Sequence, residues 1–134
     1  MYLSILTSEE KRMFLGLAYD LATSDGDYSA EEQVAIQGYC HEMQMEFDKK
    51  TMVKPIDEII RKFSQKSDLK TKKIIVFEAV GLAMADNNYD DNERAIILDM
   101  ENKFGLDKSF GDECEKVIGE YISFQNRMNN LVIG

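Results

Sequence analysis

One stretch of this chain occurs twice. Shifted by 61 residues, positions 18–32 fall on positions 79–93. Ala18, Leu21, Ala22, Asp25, Tyr28 and Glu32 meet their own kind at Ala79, Leu82, Ala83, Asp86, Tyr89 and Glu93, and further on Ile36 meets Ile97. The differences respect the same physics. Gly26 becomes Asn87, and these two residue types best tolerate the left-handed backbone that closes a helix. Ser29 becomes Asp90, and both are good helix N-caps. A repeated unit of helix end, tight acidic turn and capped helix predicts an all-α chain made of two helical hairpins.

The remaining helices follow from caps and periodicity. Thr7-Ser8-Glu9-Glu10 and Ser29-Ala30-Glu31-Glu32 read as capping boxes, with hydroxyl and carboxylate each taking one otherwise free amide. The first opens a helix with Met13, Phe14, Leu17, Ala18, Leu21 and Ala22 on one stripe, stopping near Asp25-Gly26. The second opens a helix carrying Val34, Ile36, Tyr39, Cys40, Met43 and Phe47. A basic loop is expected next. Pro55 then suits the first turn of a third helix, with Ile56, Ile59, Ile60 and Phe63 inward. Ser67 or Asp68 caps a fourth, running to near Asp86, whose positions 74–85 are apolar nearly all round and predict the most buried helix. Asp90 and Glu93 open a fifth, and Gly105 ends it. Asp107 or Ser109 starts a last helix through Val117, Ile118, Tyr121, Ile122 and Phe124, fraying after Arg127. The expectation is one domain over 1–134 with six to seven helices: repeat halves at about 7–47 and 68–105, joined by a basic helix at about 55–66.

Charge narrows the partners. The net charge is −9, which repels nucleic acid and anionic membrane surfaces. It is uneven: positions 49–73 hold nine basic residues (Lys49, Lys50, Lys54, Arg61, Lys62, Lys66, Lys70, Lys72, Lys73) against Asp57, Glu58 and Asp68. This segment is either a solvated helix face or a docking surface for an acidic protein. Only Phe63 interleaves with the basic residues among the aromatics, which argues against a single-strand nucleic-acid groove. Cys40 and Cys114 stand apart, with His41 beside only one of them, so neither a zinc pattern nor a disulfide framework is present. Both cysteines read as small buried hydrophobes. Positions 1–6 lack the basic segment and long apolar run of a signal peptide, and a cytoplasmic chain without a transmembrane segment is expected.

The apolar helix end followed by Asp-Gly-Asp-Tyr-Ser-Ala-Glu-Glu, and again in the same frame by Asp-Asn-Asn-Tyr-Asp-Asp-Asn-Glu, resembles the TerB-like family, named for tellurite-resistance proteins. The resemblance spans roughly 7–105, and the first copy is closer than the second, which lacks the glycine and has Asn88 in place of an Asp. It implies an all-helical, duplicated, non-enzymatic domain linked to stress response, to divalent-metal binding and to membrane association through a complex.

The acidic turns are the candidate site. The EF-hand is excluded, because a loop begun at Asp25 or Asp86 places Ala30 or Asp91 where glycine belongs, and Ile36 or Ile97 where the bidentate Glu belongs. A different oxygen-rich site for Ca²⁺ or Mg²⁺ would draw on Asp25, Asp27 and Glu32 at one turn, and on Asp86, Asn88, Asp90 and Glu93 at the other. A carboxylate at a helix C-terminus faces the negative end of the dipole, a cost that a cation would remove. The alternative needs no ion, since the same residues serve as helix caps. Glu78, inside the apolar fourth helix, reads as a buried functional carboxylate, as part of a strip that reaches solvent, or as the partner of a lysine. Met13, Met43, Met45, Met84 and Met100 read as core fillers. His41 has no evident catalytic partner, and no phosphate loop, nucleophile elbow, HExxH or GxGxxG occurs. The expected functions are weak metal binding at the turns, or protein docking through the basic helix or a groove between the repeats.

Overall fold

Most of the helices begin where a side-chain oxygen takes up an amide that no helix can satisfy from within. The computed structural model describes every residue except Asp25, Asp27, Asp86, Asn87 and Asn88. It places α1 at Ser8–Ala22, α2 at Ala30–Met43, α3 at Lys49–Met52, α4 at Ile56–Lys66, α5 at Leu69–Ala83, α6 at Asp91–Phe104 and α7 at Phe110–Val132, after a single 3₁₀ turn at Leu3–Ile5. The chain is all-α, and no strand occurs among the described residues. Thr7, Ser29 and Asp90 each close a full capping box with the Glu three residues on. Of the two expected caps for α5, Asp68 serves, accepting the Thr71 amide at 2.8 Å.

The repeated sequence carries repeated helix boundaries. The pairs α1–α2 and α5–α6 have the same lengths, 15 and 14 residues, and each boundary of the second pair lies 61 residues after its counterpart in the first. Both pairs also end alike. Gln44 and Gly105 adopt left-handed backbone, and the following amides, those of Met45 and Leu106, donate to the carbonyls of Cys40 and Glu101 at 3.0 and 2.9 Å. This is the Schellman closure, which uses up carbonyls the helix leaves free.

The core joins the two pairs. Helix α1 packs on α2, α3, α4 and α5, and α5 packs in turn on α6 and α7. Phe14, Leu17, Leu21, Ile60, Phe63, Ile75, Val76, Leu82, Ile97 and Met100 are almost wholly buried. Helix α5 is buried on most sides, as its unbroken apolar run requires. Gly16 allows the closest approach: a Cβ there would overlap the carbonyl oxygen of Met52. Met52 belongs to α3, a one-turn helix capped by Asp48 where a loop is expected from sequence.

Three other expectations are corrected. Val34 is 66% exposed, because it lies about half a turn from the α2 stripe of Glu32, Ile36, Tyr39 and Met43. Helices α1 and α5 stop at Ala22 and Ala83, short of Asp25 and Asp86. At the first of these ends the hydroxyls of Thr23 and Ser24 donate to the carbonyls of Tyr19 and Leu21, both at 2.8 Å. Helix α7 does not fray after Arg127 but continues to Val132.

Candidate functional site

The structure divides the seven acidic-turn candidates. Asp25, Asp27, Asp86 and Asn88 lie outside the described residues. Glu32 and Glu93 are each 4% exposed, and both are turned into their own helix starts. One oxygen of Glu32 accepts the Ser29 amide and hydroxyl at 3.1 and 3.0 Å, while the Ser29 hydroxyl accepts the Glu32 amide at 3.1 Å. Glu93 accepts the Asp90 amide at 3.2 Å, and Asp90 accepts the Glu93 amide at 2.8 Å. These oxygens serve the caps. Among the described residues, no group of three or more His, Cys, Asp or Glu side chains is placed to hold a metal ion.

Asp20, on α1, is a carboxylate that the sequence gives no reason to single out. Its Oδ2 is buried without a hydrogen-bond partner among the described residues, and desolvation raises its pKa from 3.8 to about 6. Glu78 is buried, and it takes no lysine. Its Oε1 accepts the Tyr2 amide at 3.0 Å and the Met1 amino group at 2.9 Å, while Glu42 accepts the Leu3 amide at 3.1 Å. The two carboxylates therefore pin the 3₁₀ turn against α2 and α5, and Leu3 is fully buried beneath it. Cys114 is buried and its thiol is pushed up to about 11 by desolvation, which makes it inert, whereas Cys40 is only half-buried. His41 is exposed. Met43 and Met100 are core fillers as expected, while Met13, Met45 and Met84 sit at its margin.

The basic segment is partly neutralised by its neighbours. Lys66 pairs with Glu9 at 3.7 Å and Lys62 with Glu58 at 4.0 Å, and all four side chains are exposed enough for these pairs to add little stability. Arg61 and Lys66 point to water from a helix whose other face carries Ile59, Ile60 and Phe63.

A more pronounced apolar surface lies where the 3₁₀ turn, α5 and α7 meet. The 3₁₀ turn, α5 and α7 enclose a hollow of about 350 Å³ lined by Tyr2, Phe77, Gly81, Val117, Ile118 and Tyr121. A second hollow of about 340 Å³ shares Tyr2 and Phe77 and adds Ile5, Ile74 and Phe110, together with Lys70 and Lys73. Tyr2 and Phe77 meet edge to face at 5.6 Å. From these hollows α7 runs on, exposing Val117, Tyr121, Phe124, Met128 and Leu131. At 3.6 residues per turn these five share one side of the helix. Gly111, Cys114, Ile118 and Ile122, which face the body, lie roughly 100° away. Beyond Ile122 the body-facing positions turn polar, at Gln125 and Asn129, while the exposed stripe stays apolar.

No protein-family model, curated protein or solved structure matches the chain. The likeness to TerB-like domains thus rests on the sequence of the two turns. Tyr2, Ile5, Phe77, Met128 and Leu131 are the surface residues that sequence reasoning misses. For Met128 and Leu131 a signal is present: positions 117, 121, 124, 128 and 131 alternate in steps of four and three. Ending the last helix at Arg127 discards it.

Proposed function

We propose that this chain is a non-enzymatic protein-interaction module whose docking surface is the apolar face of the 3₁₀ turn, α5 and α7. The observation that carries the reading is the continuous exposure of Val117, Tyr121, Phe124, Met128 and Leu131 beside the hollow under Tyr2 and Phe77. Large apolar surfaces of this kind on otherwise charged proteins mark interaction sites. A groove between helices with an apolar stripe beside it suits an amphipathic helix, which anchors side chains at every third and fourth position. The acidic turns are read as structural caps, on the strength of the capping boxes that Ser29 and Asp90 close with Glu32 and Glu93.

The test is a titration of isotope-labelled chain with a panel of amphipathic helical peptides, followed by amide chemical shifts. The expected result is saturable shifts at Phe77, Val117 and Tyr121 that Tyr121→Lys removes. Shifts centred on Arg61, Lys62 and Lys66 would move the docking surface to the basic helix. No shift with any peptide would sink the reading.

A further inference from the structure

The second half of α7 is a helix without a body to rest on. From Ser123 onward every α7 residue is exposed, and Leu131 and Val132 are 86% and 80% exposed. Nothing intrinsic holds this segment helical: it has Asn126, Asn129 and Asn130, and helices this short are marginal in water without packing. Its apolar residues follow the alternating four–three spacing of a coiled-coil seam through Leu131. The segment also differs in charge from the rest of the molecule. In a chain of net charge −9, positions 121–134 contain no acidic residue, and their one charged side chain is that of Arg127.

We propose that the stripe is covered by α7 of a second copy, running antiparallel; this deepens the protein-interaction reading and rests on it. The seam is complementary to itself in that direction. Val117 lies opposite Met128 of the other copy and Tyr121 opposite its Phe124, and the two-fold axis repeats both pairs. In the same register Glu120 comes beside Arg127 of the other copy, so two opposite-charge pairs flank the seam. A parallel pairing offers neither benefit. It places Glu120 near Gln125 and Arg127 near Val132, and it brings two bodies of net charge −9 side by side. Antiparallel pairing sets the bodies at opposite ends. It also carries Leu131 of the second copy back to the level of Cys114. Cys114 is turned into its own core, so that leucine meets the hollow walled by Phe77 and Phe110. The hollow and the stripe are then two parts of one interface, each filled by the other copy.

The experiment is sedimentation velocity of the full chain over a wide concentration range, beside the Phe124→Glu variant and a cysteine cross-linking set. Phe124 is exposed, so its replacement leaves the fold intact, and circular dichroism checks this. The expected result is a concentration-dependent dimer whose dissociation constant rises roughly tenfold or more in Phe124→Glu. Mixing Val117→Cys with Met128→Cys gives an intersubunit disulfide, while neither variant alone, nor the wild-type chain with Cys40 and Cys114, does so. A disulfide from Met128→Cys alone would overturn the antiparallel arrangement. A monomer at every concentration would overturn self-association. The peptide titration then separates the two ideas: shifts at Val117 and Tyr121 in a monomeric chain leave the docking face standing with a different occupant, and their absence sinks both.

Discussion

Asp20 holds a carboxyl oxygen out of water with nothing to bond to it among the described residues, and this cost should be visible in the stability of the protein. Desolvation raises its pKa from 3.8 to about 6, so between these values the folded chain binds more protons than the unfolded one. The group favours folding below that window, and its contribution is lost as pH rises through it. Asp20→Asn is therefore expected to stabilise the protein at pH 7, by about 1 kcal/mol once the shift is discounted for the water that still reaches the group. The gain should vanish near pH 4. Thermal melts of both proteins across that range check the sign, and a loss of stability at pH 7 would refute it. Gly16 makes an opposite case. A mid-helix glycine weakens α1 by about 1 kcal/mol relative to alanine, yet Gly16→Ala should destabilise by about 1–3 kcal/mol, because the new methyl group meets the Met52 carbonyl. Denaturant melts measure it. A glycine inside a strongly helical pattern hints at such an approach from sequence, but which segment approaches is set by the tertiary fold.

Helix boundaries were legible wherever a cap is made by residues close in sequence. Thr7, Ser29, Asp90 and Gly105 fall into this class, and so does the third helix after Pro55. What failed were features decided by distant neighbours. The exposure of Val34 depends on which face of α2 meets α1, and the partners of Glu78 arrive from the 3₁₀ turn more than seventy residues away in the chain. The repeat itself supplies a test at this scale. Gln44 occupies the left-handed position that Gly105 fills in the second pair, and a side chain there costs energy that glycine avoids. Gln44→Gly is expected to stabilise by about 0.5–1 kcal/mol in equilibrium unfolding, and Gly105→Gln to destabilise by a similar amount. The acidic turns give a second. If they are caps, calorimetric titration of chelator-stripped protein with Ca²⁺, Mg²⁺ or Mn²⁺ should yield no saturable heat. Ser29→Ala and Asp90→Ala should each cost about 1 kcal/mol with or without ion. A saturable heat that the Asp25→Asn, Asp86→Asn variant loses would return the turns to the cation reading.

For the whole molecule, the all-α class and the succession of helices were readable in outline, because caps and apolar periodicity are local patterns. The apolar face was not, because it forms where the 3₁₀ turn, α5 and α7 come together, and no sequence period links Tyr2 to Phe77 or Val117. The architecture nonetheless makes a sharp division of labour. The part of α7 up to Ile122 belongs to the body, through Gly111, Cys114, Ile118 and Ile122, and Glu101 secures its start by accepting the Gly111 amide at 3.1 Å. In the part beyond, every residue is exposed. A chain ended after Ile122 should therefore keep the unfolding free energy of the body within about 0.5 kcal/mol, measured below the concentration at which copies associate. The same chain should lose self-association altogether, since it lacks Phe124, Met128 and Leu131. Loss of stability in the truncated monomer would mean that the tail packs on its own body after all. Full stability with self-association retained would place the contact between copies elsewhere, leaving the stripe for another partner. Stability kept and association lost is the pair of results that assigns one half of α7 to folding and the other to binding.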